Sequence, residues 1–378
     1  MRIKGNIYTE NFNFEYGEIV FDDGVITDIN FISEKALDSK EKRQYIIPGL
    51  VDIHMHGAVG VDVCGADNDG LNKIAEYEKS CGVSYFCPTT MTLPVEELLK
   101  IVKIIKETSH EQKAIVGINL EGPYISEKKC GAQGTDNIPQ ITENILNDYE
   151  RLLIETNEFI KLSTVAPERN GVVETIKKFC DKIHFSVGHS EATYEESMKA
   201  FLAGADHVTH LYNGMSYVNH REPGIVGAAF DNKNVFVELI CDGNHVHPSV
   251  IRSAFDSYGE ERIILISDST EATGCEDGEY LLGEVPIIKK GNKAVLKSDK
   301  STLAGSVTNL YQMMKIAIKD FGIPIEKVVR TVTYNPAKSI GEAERMGSLK
   351  CGRRADIVVL DDKIDIVQIF HSNDINIC

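Results

Sequence analysis

Several features that mark secreted or membrane proteins are missing from this sequence of 378 residues. No apolar run approaches the roughly 18–20 residues that a membrane-spanning helix needs. The N-terminal segment alternates polar and apolar residues and lacks the apolar core, about 7–15 residues long, of a signal peptide. The nine cysteines are odd in number and include no Cys-x-x-Cys pair, so we expect neither a disulfide framework nor a cysteine-bound zinc. These absences predict a cytoplasmic protein without a membrane span.

Positive charge is also scarce. Lys and Arg total 40 against 57 Asp and Glu, which gives a formal net charge of -17. Because binding to a phosphate backbone requires a basic surface, we expect no nucleic-acid partner. A small anionic substrate is not excluded, since one or two well-placed arginines are enough to bind it.

Short apolar runs, by contrast, are abundant. Most of the gaps between them have a helical pattern, and continuous apolar strands that alternate with helices indicate a parallel sheet covered by helices. Eight such units predict a TIM-like (β/α)8 barrel over residues 48–340, with an open doubly wound sheet as the alternative. The eight runs are Leu50–His54, Val83–Cys87, Ile115–Leu120, Lys161–Val165, His184–Val187, His207–Leu211, Val235–Cys241 and Arg262–Ser267.

The two ends of the chain have a different pattern. Residues 1–47 and 341–378 contain short strand-like runs separated by turns, and we expect them to pair into a small β-sandwich module. The barrel would then be inserted within that module. Gly278–Lys297 is expected to form a hairpin inserted after the eighth strand, and a helical pattern over Ser306–Phe321 follows it. Among the helical patterns between the barrel strands is Ile141–Glu155.

Residues that can bind metals lie at the carboxyl ends of these predicted strands, which is the end where barrel enzymes place their active sites. A single histidine at a strand end is more often a structural polar group, but six such residues at one end point to a metal centre. Imidazole nitrogens and carboxylate oxygens are ligands for zinc, iron, manganese or nickel. The six residues are His54 and His56 after the first strand, Glu121 after the third, His189 after the fifth, His210 after the sixth and Asp268 after the eighth.

Three of these positions carry a more specific prediction. His54 and His56 are two residues apart on an extended segment, so both side chains face the barrel axis and can reach one ion. Asp268 is the expected general base, because a carboxylate beside a metal-activated water can accept its proton and pass it to a leaving nitrogen. The alternative for Asp268 is a helix N-cap.

Two further clusters have the composition of substrate contacts. Asn213 and the main-chain N–H of Gly214 could bind oxygen atoms, and Arg221 could bind a phosphate, with a surface ion pair as its alternative. At the end of the seventh strand we expect His245, in preference to His247, to face the site. His184, His207 and His220 are interpreted as ordinary polar histidines.

The motifs together closely resemble those of the N-acetylglucosamine-6-phosphate deacetylase family, within the amidohydrolase superfamily. The resemblance covers essentially the whole chain. The His-Leu-Tyr-Asn and Arg-Glu-Pro-Gly motifs are specific to the family, whereas His-x-His occurs across the superfamily. The motifs are Pro48 to Gly57, Glu121-Gly122-Pro123, Gly188-His189-Ser190, His210 to Met215, Arg221 to Gly224, and Leu303 to Ser306.

The resemblance implies a reaction, an assembly and roles for residues. The reaction is hydrolysis of N-acetyl-D-glucosamine 6-phosphate to glucosamine 6-phosphate and acetate, and the assembly is a homodimer in which Arg221 reaches the phosphate in the neighbouring subunit. Glu121, His189 and His210 would hold the principal ion, and His54 and His56 with Glu121 a second one. The implied substrate-binding positions are Ala132, Gln133, Asn213, Gly214, His245, Leu303, Ala304 and Gly305.

Some points stay open in the sequence. Some family members have histidine near the acetyl carbonyl where this chain has Gln133, which can donate a hydrogen bond but cannot become cationic. The metal is expected to be zinc or iron, with manganese, cobalt or nickel as alternatives. Each subunit is expected to bind one or two ions.

The remaining functional alternatives are the N-acetylgalactosamine 6-phosphate substrate, another amidohydrolase reaction, and a catalytically silent protein that binds a metal or sugar phosphate. No lysine ends the fourth strand, where other two-metal amidohydrolases have a carboxylated bridging lysine, which favours the deacetylase.

Overall fold

The computed structural model of the chain describes residues 1–32, 44–140 and 143–372. In chain order, its strands are β1 (Arg2–Tyr8), β2 (Phe14–Asp22), β3 (Val25–Phe31), β4 (Tyr45–Pro48), β5 (Leu50–Met55), β6 (Gly57–Ala58), β7 (Val61–Asp62), β8 (Val83–Thr90), β9 (Ile118–Glu121), β10 (Ile160–Val165), β11 (His184–Val187), β12 (His207–Val208), β13 (Phe236–Leu239), β14 (Ile263–Leu265), β15 (Gly278–Leu282), β16 (Val285–Lys290), β17 (Lys293–Leu296), β18 (Ile357–Leu360) and β19 (Ile366–Phe370). The α-helices are α1 (Asn68–Ser80), α2 (Val95–Thr108), α3 (Ile145–Thr156), α4 (Val172–Phe179), α5 (Tyr194–Ala203), α6 (Gly224–Asp231), α7 (Pro248–Tyr258), α8 (Leu310–Lys319), α9 (Ile325–Val332) and α10 (Tyr334–Ser339).

The centre of the molecule is an eight-stranded parallel sheet that curves into a barrel. Its strand order is β14-β13-β12-β11-β10-β9-β8-β5, which is chain order throughout. The two end strands meet through hydrogen bonds just beyond them: the N–H of Asp268 donates to the carbonyl of His54 at 2.9 Å, and the N–H of His56 donates to Ser269 at 2.7 Å. The predicted (β/α)8 barrel is confirmed, and the open doubly wound sheet is not.

The helices cover the outer face of this barrel. In α2 the buried residues Leu98, Val102 and Ile105 lie three or four positions apart, so they form one apolar stripe that packs inward. Inside the sheet, every residue of β8 is buried, as expected of a parallel strand with packing on both faces. Of the helices that the structure describes, none is long and apolar enough to cross a membrane.

A second sheet contains strands from both ends of the chain. Its order is β19-β18-β4-β1-β2-β3, so the C-terminal strands pair beside the N-terminal ones, as predicted for the small module. It has its own apolar core, which includes Ile19, Phe21, Ile46 and Ile357. Residues 33–43 and 373–378 of the predicted module lie outside the described ranges. The boundaries at 47/48 and 340/341 stay a prediction.

Some elements differ from their predicted bounds. The insertion after the eighth barrel strand is a three-stranded antiparallel sheet, β15-β16-β17, instead of a simple hairpin. Helix α8 begins at Leu310 and not at Ser306, because the side chain of Asn309 accepts the N–H of Gln312 and caps the helix there. The helix predicted from Ile141 begins at Ile145, and residues 141 and 142 lie outside the described ranges.

Candidate active site

The carboxyl ends of the third, fifth and sixth barrel strands bring three side chains to one point. Oε1 of Glu121, the last residue of β9, lies 3.0 Å from Nε2 of His189 and 3.1 Å from Nε2 of His210. The two imidazole nitrogens are 3.0 Å apart, and all three side chains are buried. We call Glu121, His189 and His210 the primary set.

His54 and His56 lie beside the primary set, with Glu121 between the two groups. Nε2 of His54 is 3.5 Å from Oε1 of Glu121, and Nε2 of His56 is 3.3 Å from Oε2. Oδ1 of Asp268 faces the same pair, at 3.2 Å from Nε2 of His56 and 3.6 Å from Nε2 of His54. We call His54 and His56 the secondary set. Both sets have the size and donor types of metal sites.

In each imidazole of the primary set, Nε2 faces the site and Nδ1 faces away from it. The hydrogen bond at this outer nitrogen, Nδ1, orients the ring and its inner nitrogen, Nε2. Nδ1 of His189 lies 2.7 Å from the carbonyl oxygen of Lys129, and Nδ1 of His210 lies 3.2 Å from that of Asn213. A carbonyl only accepts, so each Nδ1 donates its proton to that oxygen and each Nε2 points inward at Glu121. When both rings are neutral, two Nε2 lone pairs and a carboxylate oxygen converge in the primary set without a donor between them.

The secondary set gives a second indication that a cation fits here. Nε2 of His54 is fully buried and has no hydrogen-bond partner among the described residues, although it points at the carboxylates of Glu121 and Asp268. A buried polar atom without a partner is unfavourable unless another group satisfies it. Imidazole and carboxylate donors in this arrangement suit a divalent metal ion.

The carboxylates and imidazoles stabilise each other's charged forms. Burial lowers the pKa of His56, but the hydrogen bonds and charges of Asp268 and Glu121 outweigh burial and raise it to about 9. Burial raises the pKa of Asp268, but the hydrogen bond from His56 and the charges of His54 and His56 hold it below its usual value. The pKa of Glu121 is likewise well below its usual value despite burial, chiefly because of His189. Both acids are therefore ionised near neutral pH, as a metal ligand and a general base must be.

Three of the six strand-end residues have left-handed backbone conformations. The φ angles are 46° at His189, 28° at His210 and 47° at Asp268. Such angles are unfavourable for residues other than glycine, by about 1–3 kcal/mol each, and they often occur at functional sites. They also explain why β12 ends at Val208 instead of Leu211, since the backbone leaves the strand conformation to point His210 inward.

The primary set and His56 form the floor of a cavity of about 290 Å³, near the lower limit for ligand pockets, and His54 is fully buried beside them. Most of the predicted substrate-binding positions line it: Ala132, Gln133, Asn213, Gly214, His245, Leu303 and Gly305. Ala304 is buried behind the wall. The cavity also has lining residues that the sequence did not predict, namely Met91, Gly131, Ile240, Leu282, Ser301 and Thr302. Leu282 comes from the inserted sheet, which therefore forms part of the wall.

Gln133 has a more restricted geometry than the sequence suggested. Its Oε1 accepts the N–H of Thr92 at 2.7 Å, and its Nε2 donates to Oε2 of Glu121. The first contact orients the amide so that its donor group faces Glu121. Only the second hydrogen of that amide is left for a substrate.

His245 and Asn213 approach the cavity with defined orientations. Nδ1 of His245 lies 2.8 Å from Oδ2 of Asp242, which leaves Nε2 to face the cavity. Nδ2 of Asn213 donates to the main-chain oxygens of His210 and Leu211, at 3.3 and 3.4 Å. His247 instead caps α7, which agrees with the preference for His245.

Arg221 does not line this cavity in the single chain. It lies at a neighbouring surface cavity with Tyr217 and Glu222, and its Nη1 is 2.7 Å from Nε2 of His220. Tyr217 is 91% exposed, so a large aromatic side chain lies on the surface beside Arg221.

One buried carboxylate at the site was missed from the sequence. Oε2 of Glu238, on β13, lies 3.0 Å from Nδ1 of His54 and accepts the N–H of His210 at 3.3 Å. The available signal was an acidic residue in the middle of the apolar run Val235–Cys241.

Comparison with known proteins gives a consistent result. Residues 45–376 match the model of the amidohydrolase family. The chain is 36% identical over 325 residues to the N-acetylglucosamine-6-phosphate deacetylase of Vibrio furnissii, covering 85% of this chain and 80% of that protein. It is 32% identical to the N-acetylgalactosamine-6-phosphate deacetylase of Escherichia coli O157:H7, covering 92% and 91% of the two chains. The crystal structure of N-acetyl-D-glucosamine-6-phosphate deacetylase from Mycobacterium smegmatis superposes with a TM-score of 0.91 at 29% identity, covering 98% of each chain. The chain belongs to the amidohydrolase family.

Proposed function

We propose that this amidohydrolase hydrolyses N-acetyl-D-glucosamine 6-phosphate to D-glucosamine 6-phosphate and acetate. The observation that carries the proposal is the floor of the cavity, where four imidazoles and Glu121 converge beside the ionised carboxylate of Asp268. The deacetylase relatives match this chain over most of its length, which supports the choice of substrate.

The primary set would hold the principal divalent ion, and the secondary set with Glu121 would hold a second. When bound, such an ion lowers the pKa of a water molecule toward about 7 and polarises an amide carbonyl. Zinc and iron fit the donor set best, and manganese, cobalt and nickel also bind imidazole and carboxylate ligands.

Asp268 would act as general base and then as general acid. Its carboxylate faces the cavity, and its lowered pKa keeps it ready to accept a proton. It would take one proton from the attacking water, whose oxygen joins the acetyl carbon. It would then deliver that proton to the nitrogen as the C–N bond breaks, which releases the free amine and acetic acid. The acid carries the second proton of the water and loses it to solvent to become acetate.

The remaining lining residues would hold the sugar phosphate. Nε2 of His245 and the main-chain N–H of Gly214 are suited to its oxygen atoms, and the second hydrogen of the Gln133 amide to the acetyl carbonyl. Asn213 would position the segment after His210 and contact the sugar through Oδ1. The loop of Leu303, Ala304 and Gly305 would close one side, with Ala304 supporting it from behind the wall.

Arg221 would bind the phosphate of the neighbouring subunit in a homodimer. Its separation from the cavity of its own chain and the exposed Tyr217 beside it agree with a surface that a second copy covers. We further propose a cytoplasmic location, because the eight cysteines in the described ranges are all free and a reducing compartment preserves them.

N-acetylgalactosamine 6-phosphate is the alternative substrate. A relative named for that substrate is 32% identical over 92% of this chain, so similarity alone does not separate the two sugars strongly. The two differ only at one hydroxyl of the ring.

Acetate release tests the proposal directly. Purified protein, loaded in turn with Zn²⁺ and Fe²⁺, is incubated with N-acetylglucosamine 6-phosphate, N-acetylgalactosamine 6-phosphate and unphosphorylated N-acetylglucosamine. We expect the highest kcat/KM for the first and a large loss without the phosphate. Equal cleavage of the unphosphorylated sugar would favour another amidohydrolase reaction, and no acetate from any of them would favour a silent binding protein.

A further inference from the structure

The four histidines at the site differ in what holds their outer nitrogen. In three of them Nδ1 forms a hydrogen bond with a main-chain carbonyl oxygen. The pairs are His56 with Thr89 at 3.2 Å, His189 with Lys129 at 2.7 Å, and His210 with Asn213 at 3.2 Å. His54 instead has a carboxylate, Oε2 of Glu238, at 3.0 Å. His54 is therefore the histidine with a charged outer partner.

Glu238 also connects the two sets. The same Oε2 accepts the main-chain N–H of His210, which belongs to the primary set. One carboxylate oxygen thus touches the imidazole ring of a secondary ligand and the backbone of a primary one. The side chain contact orients His54, whereas the backbone contact supports the segment of His210 without touching its ring.

Burying Glu238 is unfavourable unless a positive charge lies nearby. The residue is fully buried, and its Oε1 has no hydrogen-bond partner among the described residues. A buried carboxylate that is only partly hydrogen-bonded destabilises the fold when no cation compensates it. Nε2 of His54 points at the carboxylates of Glu121 and Asp268, the place where such a cation would lie.

We propose that Glu238 is a positioning residue that acts through His54 and sets the affinity of the secondary set for its metal ion. The proposal rests on the proposed function, because it requires a two-ion centre of that enzyme. A carboxylate on the outer nitrogen fixes the tautomer and ring orientation and makes the inner nitrogen a stronger ligand. A carbonyl partner gives the orientation without the added charge, so the secondary set depends on Glu238 in a way that the primary set does not.

A purely structural role for Glu238 predicts a different result. If the carboxylate only supported the His210 segment, its loss would weaken the primary ion at least as much as the secondary one. Selective loss of one ion therefore separates the two explanations.

The test measures metal binding and not turnover. Chelator-treated full-length protein is titrated with Zn²⁺ against a competing chelator, and bound metal per chain is measured by plasma mass spectrometry. The variants are Glu238→Gln, which keeps the shape and one acceptor oxygen, and Glu238→Leu, which removes both. Glu78→Gln is the matched control, since Glu78 is also a buried glutamate but lies on α1 and makes no hydrogen bond with the site. His56→Ala gives the stoichiometry of a chain that lacks the secondary site.

We expect two ions per chain in the parent and in Glu78→Gln. The dissociation constant of the weaker ion should rise about 10-fold in Glu238→Gln and about 100-fold in Glu238→Leu. The dissociation constant of the tighter ion should change little. Adding Glu238→Gln to His56→Ala should lower metal binding no further, because both changes act on one site.

Three outcomes would overturn the proposal. They are unchanged binding of both ions in Glu238→Gln, equal weakening of both ions, and a single ion per chain in the parent protein. Because Glu238→Gln is isosteric, it keeps the test valid if Glu238→Leu does not fold. Since acetate is not the readout, failure here is distinct from failure of the proposed reaction.

Discussion

Oδ1 of Asp268 lies 3.2 Å from Nε2 of His56, so the candidate base and the secondary set share one wall of the site. An acid at this position influences both proton transfer and metal binding. The contact with His56 is also one reason why the pKa of Asp268 is low, and a low pKa keeps its carboxylate ionised when substrate binds.

Replacing Asp268 with Asn should lower turnover by about 10²–10⁴-fold, because the amide keeps the shape but cannot accept a proton. The ion of the primary set should remain, since Asp268 is not one of its members. Acetate release and metal content measure the two effects. Asp256→Asn, an exposed change on α7, is the control. Near-normal turnover in Asp268→Asn would remove Asp268 from its proposed role.

Replacing Gln133 with Ala should affect the site in two ways. The buried N–H of Thr92 loses its acceptor, which should destabilise the fold by about 1–3 kcal/mol, and Glu121 loses a donor, which should weaken metal binding. Denaturant unfolding and metal titration measure these effects, with the exposed Gln140→Ala as control. If only kcat fell, with stability and metal affinity unchanged, Gln133 would act on the substrate alone.

Replacing Arg221 with Ala should raise KM for the phosphorylated sugar by roughly 10–100-fold, since a charge-assisted hydrogen bond contributes about 1.5–3 kcal/mol. The value of kcat should change little. Arg151→Ala is a matched control, because Arg151 forms a surface ion pair with Glu96 on the outer helices.

A mixture of Arg221→Ala, which is impaired at low substrate concentration, and the inactive Asp268→Asn tests whether Arg221 acts across a dimer. After subunit exchange, a mixed dimer of Arg221→Ala and Asp268→Asn has one site with both an intact Asp268 and an intact Arg221 from its partner. We therefore expect acetate release at low substrate concentration to recover in the mixture. If light scattering and mass analysis confirm subunit exchange but acetate release does not recover, Arg221 does not act in the partner's site.

Replacing Glu78 with Gln should stabilise the protein increasingly as the pH rises. Burial raises the pKa of Glu78 well above 4.5, with a further contribution from Asp52. Below about pH 4.5 both the folded and the unfolded chain bind the proton, so Glu78 has no effect. Above it the unfolded chain releases the proton and the folded one retains it, so the stability of the parent falls by up to about 1.4 kcal/mol per pH unit.

Denaturant unfolding of Glu78→Gln and the parent between pH 4.5 and pH 8 measures this difference. Glu76→Gln, an exposed change on the same helix, should show almost no pH-dependent difference. A difference between Glu78→Gln and the parent that stays constant across this range would show that Glu78 is ionised in the folded state.

The sequence alone determined the architecture and which side chains meet at the candidate site. Alternation of apolar runs with helices specified the barrel, and the carboxyl ends of parallel strands must meet at one end of it. The two-residue spacing of His54 and His56 places both on one face because side chains on a strand alternate. These are local rules, so positions within one element were enough to apply them.

Only the tertiary structure decided which surrounding groups form hydrogen bonds with those side chains and orient them. The contact of Glu238 with His54 joins residues 184 positions apart, and that of Gln133 with Glu121 depends on how a loop folds over the site. Such contacts follow from strand register, barrel closure and side-chain orientation, none of which is visible in a local pattern. The sequence therefore specified the four imidazoles and two carboxylates of the site, while folding selected the partner of each Nδ1 and thereby the direction of each lone pair.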